Sequence, residues 1–373
     1  MQVSTTELKI YQNSDFIAIF DLLKKHTKRA YFVGGFVRDF FLGRETSDID
    51  IEVYDINPEK FDEIMSEFGA QGVGKSYFVY KYKNFDISLP RTERKVGVGH
   101  KAFEVEITND EKIGARRRDF TINSLMINIF SLEVLDFYGG VADLQNKILR
   151  MVDSKTFVED SLRVYRGVQF AARFDLQIEN KSFEIMRKMD TSDLSIERIR
   201  AELMKLFNAN YQGYGLFLLR ELGLFEKIFG VKISQNECEK IANFIDKGRK
   251  FVKDDEFFLY AVLNLLNLDK KKILENLKLN SLFKRILTEP FYKKIDDEKL
   301  MQIALQMPIN SWLGVYNQTR INRAKKLGIY EKKFASKVGS EAVINDGFKG
   351  KEIANEIKRR QKDEIKKYLV NLK

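Results

Sequence analysis

The feature of the sequence that most restricts its fold is a glycine pair, Gly34-Gly35, which lies between a short β-rich run and a helical pattern. Strand, turn, helix and strand are predicted in that order over residues 30–33, 34–35, 36–42 and 49–54. Because glycine has no Cβ, the turn can approach an anion closely, and the first N–H groups of the following helix face the same anion. Arg38, one turn into that helix, can add a guanidinium. The segment therefore predicts a phosphate-binding turn.

Two carboxylates follow this turn. Asp48 and Asp50 alternate along the second strand and so project from one face of the sheet. Adjacent carboxylates repel each other unless a cation lies between them, and their hard oxygens suit Mg²⁺. Alone, a glycine pair is usually a plain turn and an Asp-x-Asp run an exposed strand face, but their order here favours a metal site beside a phosphate site. Asp86, on a predicted strand over 84–89, is either a third ligand or a strand-face residue.

The chain changes character near residue 150. Glycines cluster before this point between short β-rich runs, whereas the later segments have helical periodicity almost throughout. A chain of 373 residues is long enough for two to three domains. We therefore predict an α/β unit over 1–150 and an all-helical remainder, with clear helices over 158–174, 196–207 and 351–372.

Composition narrows the function classes. The formal net charge is +10, which suggests a polyanionic partner such as nucleic acid or a membrane surface. One cysteine and two histidines exclude a disulfide framework, a Cys-rich zinc site and a His-based phosphohydrolase centre after His100. The N-terminus lacks a signal-peptide pattern, and the longest apolar run, 257–268, is too short for a bilayer span. We expect a soluble, cytoplasmic protein without a membrane partner.

Several further blocks occur in a fixed order after the glycine pair and the Asp-Ile-Asp strand. They are RRDFTIN (117–123), DLQNKILRMVD (143–153), EDSLRVYR (159–166) followed by FAARF, and the helix over 196–207. Together these blocks resemble the class II tRNA nucleotidyltransferase family, which includes CCA-adding enzymes, their CC-adding and A-adding relatives and bacterial poly(A) polymerases. The match covers about residues 30–207, and the rest of the chain matches only in helical character.

The resemblance implies an α+β fold with a polymerase-beta-like head and an elongated helical remainder. The head would span 1–150, a neck with the nucleotide-selecting helix 151–212, a body 213–290 and a tRNA-binding tail 291–373. The implied activity is template-independent addition of C, C and A to the tRNA 3′ end from CTP and ATP. It implies two Mg²⁺ ions, held by the catalytic Asp48 and Asp50, and tRNA contacts made through the phosphate backbone. The oligomeric state stays open.

The nucleotide-binding residues implied by the resemblance lie in three blocks. Asp160 and Arg163 would read the Watson–Crick edge of the base, with Glu159 orienting the arginine. On residue spacing alone, these residues and Arg166 share one helix face, which in an ordinary helix would be a salt-bridge ladder. The remaining implied contacts are with the triphosphate and ribose, from Gly34, Gly35, Arg38, Arg166, Arg118, Asp119 and Asn123. Where the family often has one more arginine, this chain has Gln169.

The product is the least constrained prediction. The basic stretch after Arg91 matches the position of a flexible loop that full CCA-adding members use, and this favours CCA addition over A-only, CC-only or poly(A) products. A catalytically dead RNA-binding module would be expected to lose a metal carboxylate, yet both aspartates are present. His100 is expected to be a surface or packing residue. The basic helix over 351–372 is either a solvated face or part of a tRNA-binding surface.

Overall fold

The computed structural model describes residues 1–73, 78–95 and 103–372. The chain forms two compact units: unit 1 comprises Met1–Leu206 with Glu221–Gly223, and unit 2 comprises Phe207–Arg220 and Leu224–Lys373. The four domains predicted from the sequence remain a prediction.

Unit 1 contains the strands. They are β1 Ala30–Val33, β2 Ile49–Val53, β3 Gln71–Gly72, β4 Val79–Tyr82, β5 Phe85–Ser88, β6 Arg91–Lys95, β7 Phe103–Ile107, β8 Met126–Asn128, β9 Val134–Leu135, β10 Ile148–Leu149 and β11 Gln177–Ile178. Its helices are α1 Ser14–Leu23, α2 Gly35–Phe41, α3 Pro58–Glu67, α4 Glu111–Arg116, α5 Gly140–Gln145, α6 Ser154–Phe157, α7 Leu162–Phe174 and α8 Asn180–Lys188, with α9 Ile196–Phe207 ending at the unit boundary.

Seven strands of the described part of the chain form one mixed sheet in the order β3-β4-β5-β2-β1-β8-β9. β2 pairs antiparallel with β1 and parallel with β5. All four residues of β1 are buried, as are four of the five in β2, where Asp50 is the exception. The centre of the sheet is therefore a mostly apolar core that also buries Glu52 and presents Asp50 to solvent.

Helix caps explain where the first helices begin. The side chain of Asn13 accepts a hydrogen bond from Phe16 N at 2.9 Å, so α1 starts at Ser14. α1 then buries Phe16, Ile19 and Leu23. Asn57 caps α3 in the same way, with Pro58 in the first turn.

The start of the polar stretch after Arg91, which we predicted as a loop, is the strand β6, whereas β7 agrees with the strand predicted from the sequence over 102–107. β6 and β7 pair antiparallel from Arg91–Ile107 to Lys95–Phe103 and form a separate two-stranded sheet. Residues 96–102, including His100, lie outside the described part of the chain, as do residues 74–77.

Unit 2 is helical over its described residues. Its helices are α10 Gln212–Glu221, α11 Leu224–Phe229, α12 Gln235–Gly248, α13 Phe257–Leu265, α14 Lys270–Asn276, α15 Arg285–Thr288, α16 Asp297–Ala304, α17 Gln318–Lys326, α18 Ser340–Asn345 and α19 Lys351–Asn371. The centre of its core is α13, whose residues 257–263 are all buried. None of the described helices is both long and apolar enough to cross a membrane.

Candidate active site

The glycine turn lies against two charged side chains. Gly34 has φ +66°, and a Cβ built on it would lie 2.9 Å from Arg118 Nη1 and 3.2 Å from Asp50 Oδ2. Both the backbone conformation and the space therefore require glycine. Gly35 begins α2, and its own Cβ position lies 3.6 Å from Arg38 Nη2. The turn thus brings the first residues of α2 next to Asp50, Arg38 and Arg118.

The three predicted carboxylates occupy neighbouring positions on the sheet. Asp50 pairs with Val33 of β1 on one side and with Asp86 of β5 on the other, and Asp48 directly precedes β2. Desolvation by the surrounding groups raises the pKa of Asp50, although the residue is exposed on the sheet face. Arg118 lowers this pKa, whereas the charges of Asp86 and Asp48 raise it further. These charges therefore act on one another.

The chemistry of this donor set fits a hard divalent cation. Aspartate oxygens are the ligands that Mg²⁺ prefers, and a bound cation would relieve the repulsion among the three carboxylates. Within residues 1–73, 78–95 and 103–372, no three His, Cys, Asp or Glu side chains are already gathered around one point as a metal site. Asp86 instead contacts Lys81, with Oδ1 3.9 Å from Nζ. The carboxylates would reorient to bind a metal.

A buried glutamate holds the arginine beside the turn. Glu52 is 1% exposed, and its Oε1 accepts hydrogen bonds from Arg117 Nη2 at 2.6 Å and Arg118 Nη2 at 2.8 Å. Its Oε2 accepts one from the Tyr54 hydroxyl at 3.2 Å. Burial favours a higher pKa for Glu52, but the two guanidiniums lower it overall. Glu52 thus holds the Arg118 guanidinium through Nη2, while Arg118 Nη1 lies next to the Gly34 turn.

A second buried network connects α2 to α7. Asp119 Oδ2 accepts from Arg166 Nε at 2.6 Å, and its Oδ1 accepts from Asn123 Nδ2 at 2.9 Å. Asn123 Oδ1 in turn accepts from Arg38 Nη1 at 2.9 Å. Burial alone would raise the pKa of Asp119, but Arg166 and Asn123 lower it to about 2. Four of the predicted nucleotide-binding residues therefore form one hydrogen-bonded chain.

The helix predicted over 158–174 begins later than predicted. α6 ends at Phe157 and α7 begins only at Leu162, so Glu159 and Asp160 lie in the connecting turn and not on a helix face. The physical reason is local capping: Asp153 accepts from the amides of α6, and Asp160 Oδ1 accepts from Leu162 N at 3.1 Å. The prediction that Glu159 and Asp160 share a helix face with Arg163 and Arg166 is wrong.

Asp160 and Arg163, the predicted base-reading pair, have other partners in this structure. Arg198 Nη2 of α9 donates to both carboxylate oxygens of Asp160, at 3.0 and 3.1 Å. Arg163 donates to the carbonyl oxygens of Thr156 and Arg117, at 2.8 and 2.6 Å. Burial lowers the pKa of Arg163, while the charges of Asp119, Asp160 and Glu159 oppose this shift. Glu159 and Asp160 thus act on Arg163 electrostatically.

Sequence reasoning missed three residues that support the site. Glu52 continues the alternation of Asp48 and Asp50 along β2, and this period-two pattern was the available signal. Arg198 and Glu202 belong to a helix whose resemblance was noted, but its contacts were not predicted. Glu202 Oε1 lies 3.9 Å from Arg166 Nη1 and 2.8 Å from Lys205 Nζ.

Two family models match the chain. The Poly A polymerase head domain matches residues 30–150, and the "probable RNA and SrmB-binding site of polymerase A" matches residues 175–231. The first includes the glycine turn, the three carboxylates and, from the Asp119 network, Arg38, Asp119 and Asn123. The second begins one residue after α7 ends.

Proteins of similar sequence are described as CCA-adding enzymes or multifunctional CCA proteins. A CCA-adding enzyme of Lactococcus lactis is 30% identical over 284 residues, which is 73% of this chain and 69% of that protein. A multifunctional CCA protein of Nitrosomonas europaea is 36% identical over 210 residues, covering 54% of this chain and 49% of that protein.

Solved structures have the same fold. A CCA-adding enzyme in complex with ATP superposes with a TM-score of 0.68 at 21% identity, over 98% of this chain and 93% of that one. The Bacillus stearothermophilus CCA-adding enzyme in complex with CTP gives 0.67 at 22% identity, over 94% and 92%. These likenesses confirm the predicted α+β fold with a helical remainder. From the matched sequence and the shared fold together, the chain belongs to the CCA-adding enzyme family of nucleotidyltransferases.

Proposed function

We propose that this protein adds C, C and A to the 3′ end of tRNA from CTP and ATP, in the cytoplasm and without a nucleic-acid template. The observation that carries the proposal is the position of Asp50, which lies beside Gly34, opposite Asp86 and within the field of Arg118. A nucleotidyl transfer needs carboxylates, a close backbone approach and positive charge at one place. The names of the relatives support the choice of product.

Asp48, Asp50 and Asp86 are the residues that would hold Mg²⁺. When bound, the metal neutralises charge at the α-phosphate and at the leaving group, and it lowers the pKa of the attacking hydroxyl. The protein's own contribution is mostly positioning, because phosphoryl transfer asks for little covalent chemistry from side chains.

Arg118 supplies fixed positive charge beside the glycine turn. Because Glu52 already orients its guanidinium, Arg118 needs little rearrangement when phosphates bind. Arg38 and Arg166 are oriented through Asn123 and Asp119 in the same way. The phosphate-binding part of the site is therefore organised before the nucleotide arrives.

Base selection requires an exchange of partners. Asp160 must leave Arg198, and Arg163 must leave at least one carbonyl, before the pair can meet the edge of cytosine or adenine. Both bases present a donor and an acceptor to an aspartate–arginine pair, so one pair can accept either in slightly different orientations.

tRNA is the proposed partner. Support comes from the match of residues 175–231 to an RNA-binding model and from the net charge of +10. Contacts with phosphates give affinity without reading sequence, as an enzyme that serves all tRNAs requires.

The test is primer extension on tRNA transcripts that end in the discriminator base, in C or in CC, each with CTP, ATP or both. The proposal expects CCA addition that then stops. CC alone, A only onto CC ends, or long A tracts would assign a CC-adding enzyme, an A-adding enzyme or a poly(A) polymerase instead. Asp48→Asn and Asp50→Asn should each abolish extension, whereas Asp21→Asn, an exposed residue of α1, should not.

A further inference from the structure

Three guanidiniums surround the ring of one phenylalanine, and two of them belong to arginines that the site described so far does not include. The charged carbons of Arg38, Arg44 and Arg173 lie 4.6, 4.7 and 4.9 Å from the ring centroid of Phe174, the last residue of α7. Such contacts are individually favourable, but three like charges on one ring repel one another. We call Arg44, Arg173 and Gln169 the distal cluster.

Two of these charges lack a carboxylate. Arg38 pairs with Asp39 at 2.7 Å, but among the residues that the structure describes neither Arg44 nor Arg173 forms an ion pair. Burial lowers the pKa of Arg173, and the charges of Arg38 and Arg44 lower it further, while the charges of Asp39 and Glu202 offset this shift only in part. The cluster thus carries an excess of positive charge, which an anion would neutralise.

A buried amide at the same place also lacks a partner. Gln169 is 1% exposed; its Oε1 accepts from Arg173 Nη1 at 3.2 Å, and its Nε2 donates to nothing among the described residues. Leaving a buried donor unsatisfied costs about 1–3 kcal/mol, so in a native structure such a donor usually meets a water, an ion or a ligand. This observation is independent of the arginines, and it indicates that Gln169 Nε2 needs a hydrogen-bond acceptor.

The backbone places Arg44 at the cluster. Gly43 has φ +64°, Gly43 N donates to Phe40 O at 3.0 Å, and Arg44 N donates to Asp39 O at 2.8 Å. These two bonds are the Schellman motif that ends α2. Arg44 is exposed, so the cluster is accessible to a ligand from solvent.

We propose that the distal cluster is a second phosphate subsite, which binds the terminal phosphates of the nucleoside triphosphate and the pyrophosphate that leaves. The inference rests on the proposed function for the identity of the nucleotide. Arg173 lies two turns beyond Arg166 on α7, about 10 Å along the helix axis, which suits the far end of a triphosphate. The unpartnered amide nitrogen of Gln169 is buried, and a small terminal oxyanion reaches it more easily than a phosphodiester flanked by two sugars.

Binding of inorganic pyrophosphate to the full-length protein, measured by calorimetry, tests the subsite without requiring activity. Arg44→Ala and Arg173→Ala should each weaken pyrophosphate binding about tenfold, the effect of one lost charge-assisted contact. Arg187→Ala is the matched control, because Arg187 is a half-exposed arginine of α8 that pairs with Glu184. Thermal unfolding shows whether each variant is folded. If Arg173→Ala does not fold, Arg173→Lys replaces it and should keep part of the pyrophosphate affinity.

Steady-state kinetics then identify the source of the phosphate. The proposal expects KM for CTP to rise about tenfold in both alanine variants with KM for tRNA unchanged. Unchanged pyrophosphate affinity, or a rise confined to KM for tRNA, would overturn it, the latter by assigning the arginines to the RNA backbone. If the wild type binds pyrophosphate through these arginines but extends no tRNA, the proposed function fails while the subsite stands.

Discussion

Replacing Asp119 by asparagine removes the charge at the centre of the network between α2 and α7 while keeping its shape. Asp119 is 6% exposed, and its pKa falls from 3.8 to about 2 because Arg166 and Asn123 stabilise the carboxylate. At about 1.4 kcal/mol per tenfold change in proton affinity, this charge stabilises the fold by about 2 kcal/mol at neutral pH. Asp119→Asn should lower the free energy of unfolding by at least that amount.

The pH dependence follows from the direction of the shift. A carboxyl group whose pKa is lower in the folded protein adds stability above its unfolded pKa and loses it as the pH falls through the folded value. The difference between wild type and Asp119→Asn should therefore be constant above about pH 5 and shrink to about half by pH 3. Asp21→Asn should show no comparable difference.

Urea unfolding followed by circular dichroism is the assay. The single tryptophan, Trp312, belongs to unit 2, so its fluorescence would not report on the unit that contains Asp119. A difference between wild type and Asp119→Asn that is the same at pH 7 and pH 3 would refute the reasoning, because it would mean that hydrogen-bond geometry and not charge accounts for the loss.

Three other features are tested by substitution. Glu52→Gln should destabilise the protein by about 2–3 kcal/mol and reduce kcat, because Arg118 loses the carboxylate that orients it; urea unfolding and extension rates measure both effects. Gly34→Ala should abolish extension, because the added Cβ would meet Arg118 and Asp50. Gly139→Ala is the control: its φ is +76°, but the space around its Cβ is open. This variant should stay active and lose only about 1 kcal/mol of stability in thermal unfolding. Burial raises the pKa of Glu256 to about 7, so Glu256→Gln should match wild type at about pH 4 and exceed its stability at about pH 8, as followed by Trp312 fluorescence.

Local patterns predicted the elements beside the proposed metal-binding carboxylates. The predicted strand over 30–33 coincides with β1, and the predicted strand over 49–54 corresponds to β2 Ile49–Val53. Apolar periodicity determines such elements because one face of each is buried against the same core. The positions of Asp48 and Asp50 follow from these elements with no further information.

The partners of the charged residues could not be predicted in the same way. Arg38 and Asn123 are 85 residues apart, and Arg166 and Asp119 are 47 apart, so no local pattern relates them. Helix periodicity also failed at Glu159 and Asp160, because short-range capping by aspartate competes with continuation of a helix and has no periodic signal.

The two parts of the site differ in how firmly they are held. The Asp119–Arg166 pair is buried on the carboxylate side, so disrupting it leaves an uncompensated charge and costs several kcal/mol. The Asp160–Arg198 pair is about 30% exposed on both sides, and ion pairs of this kind are worth about 0–1 kcal/mol. A base can therefore displace Arg198 at little cost while the phosphate-binding arginines stay in place. For the proposed reaction this division is useful, because the phosphates of CTP and ATP are identical and only the base-reading residues have to adjust between the two.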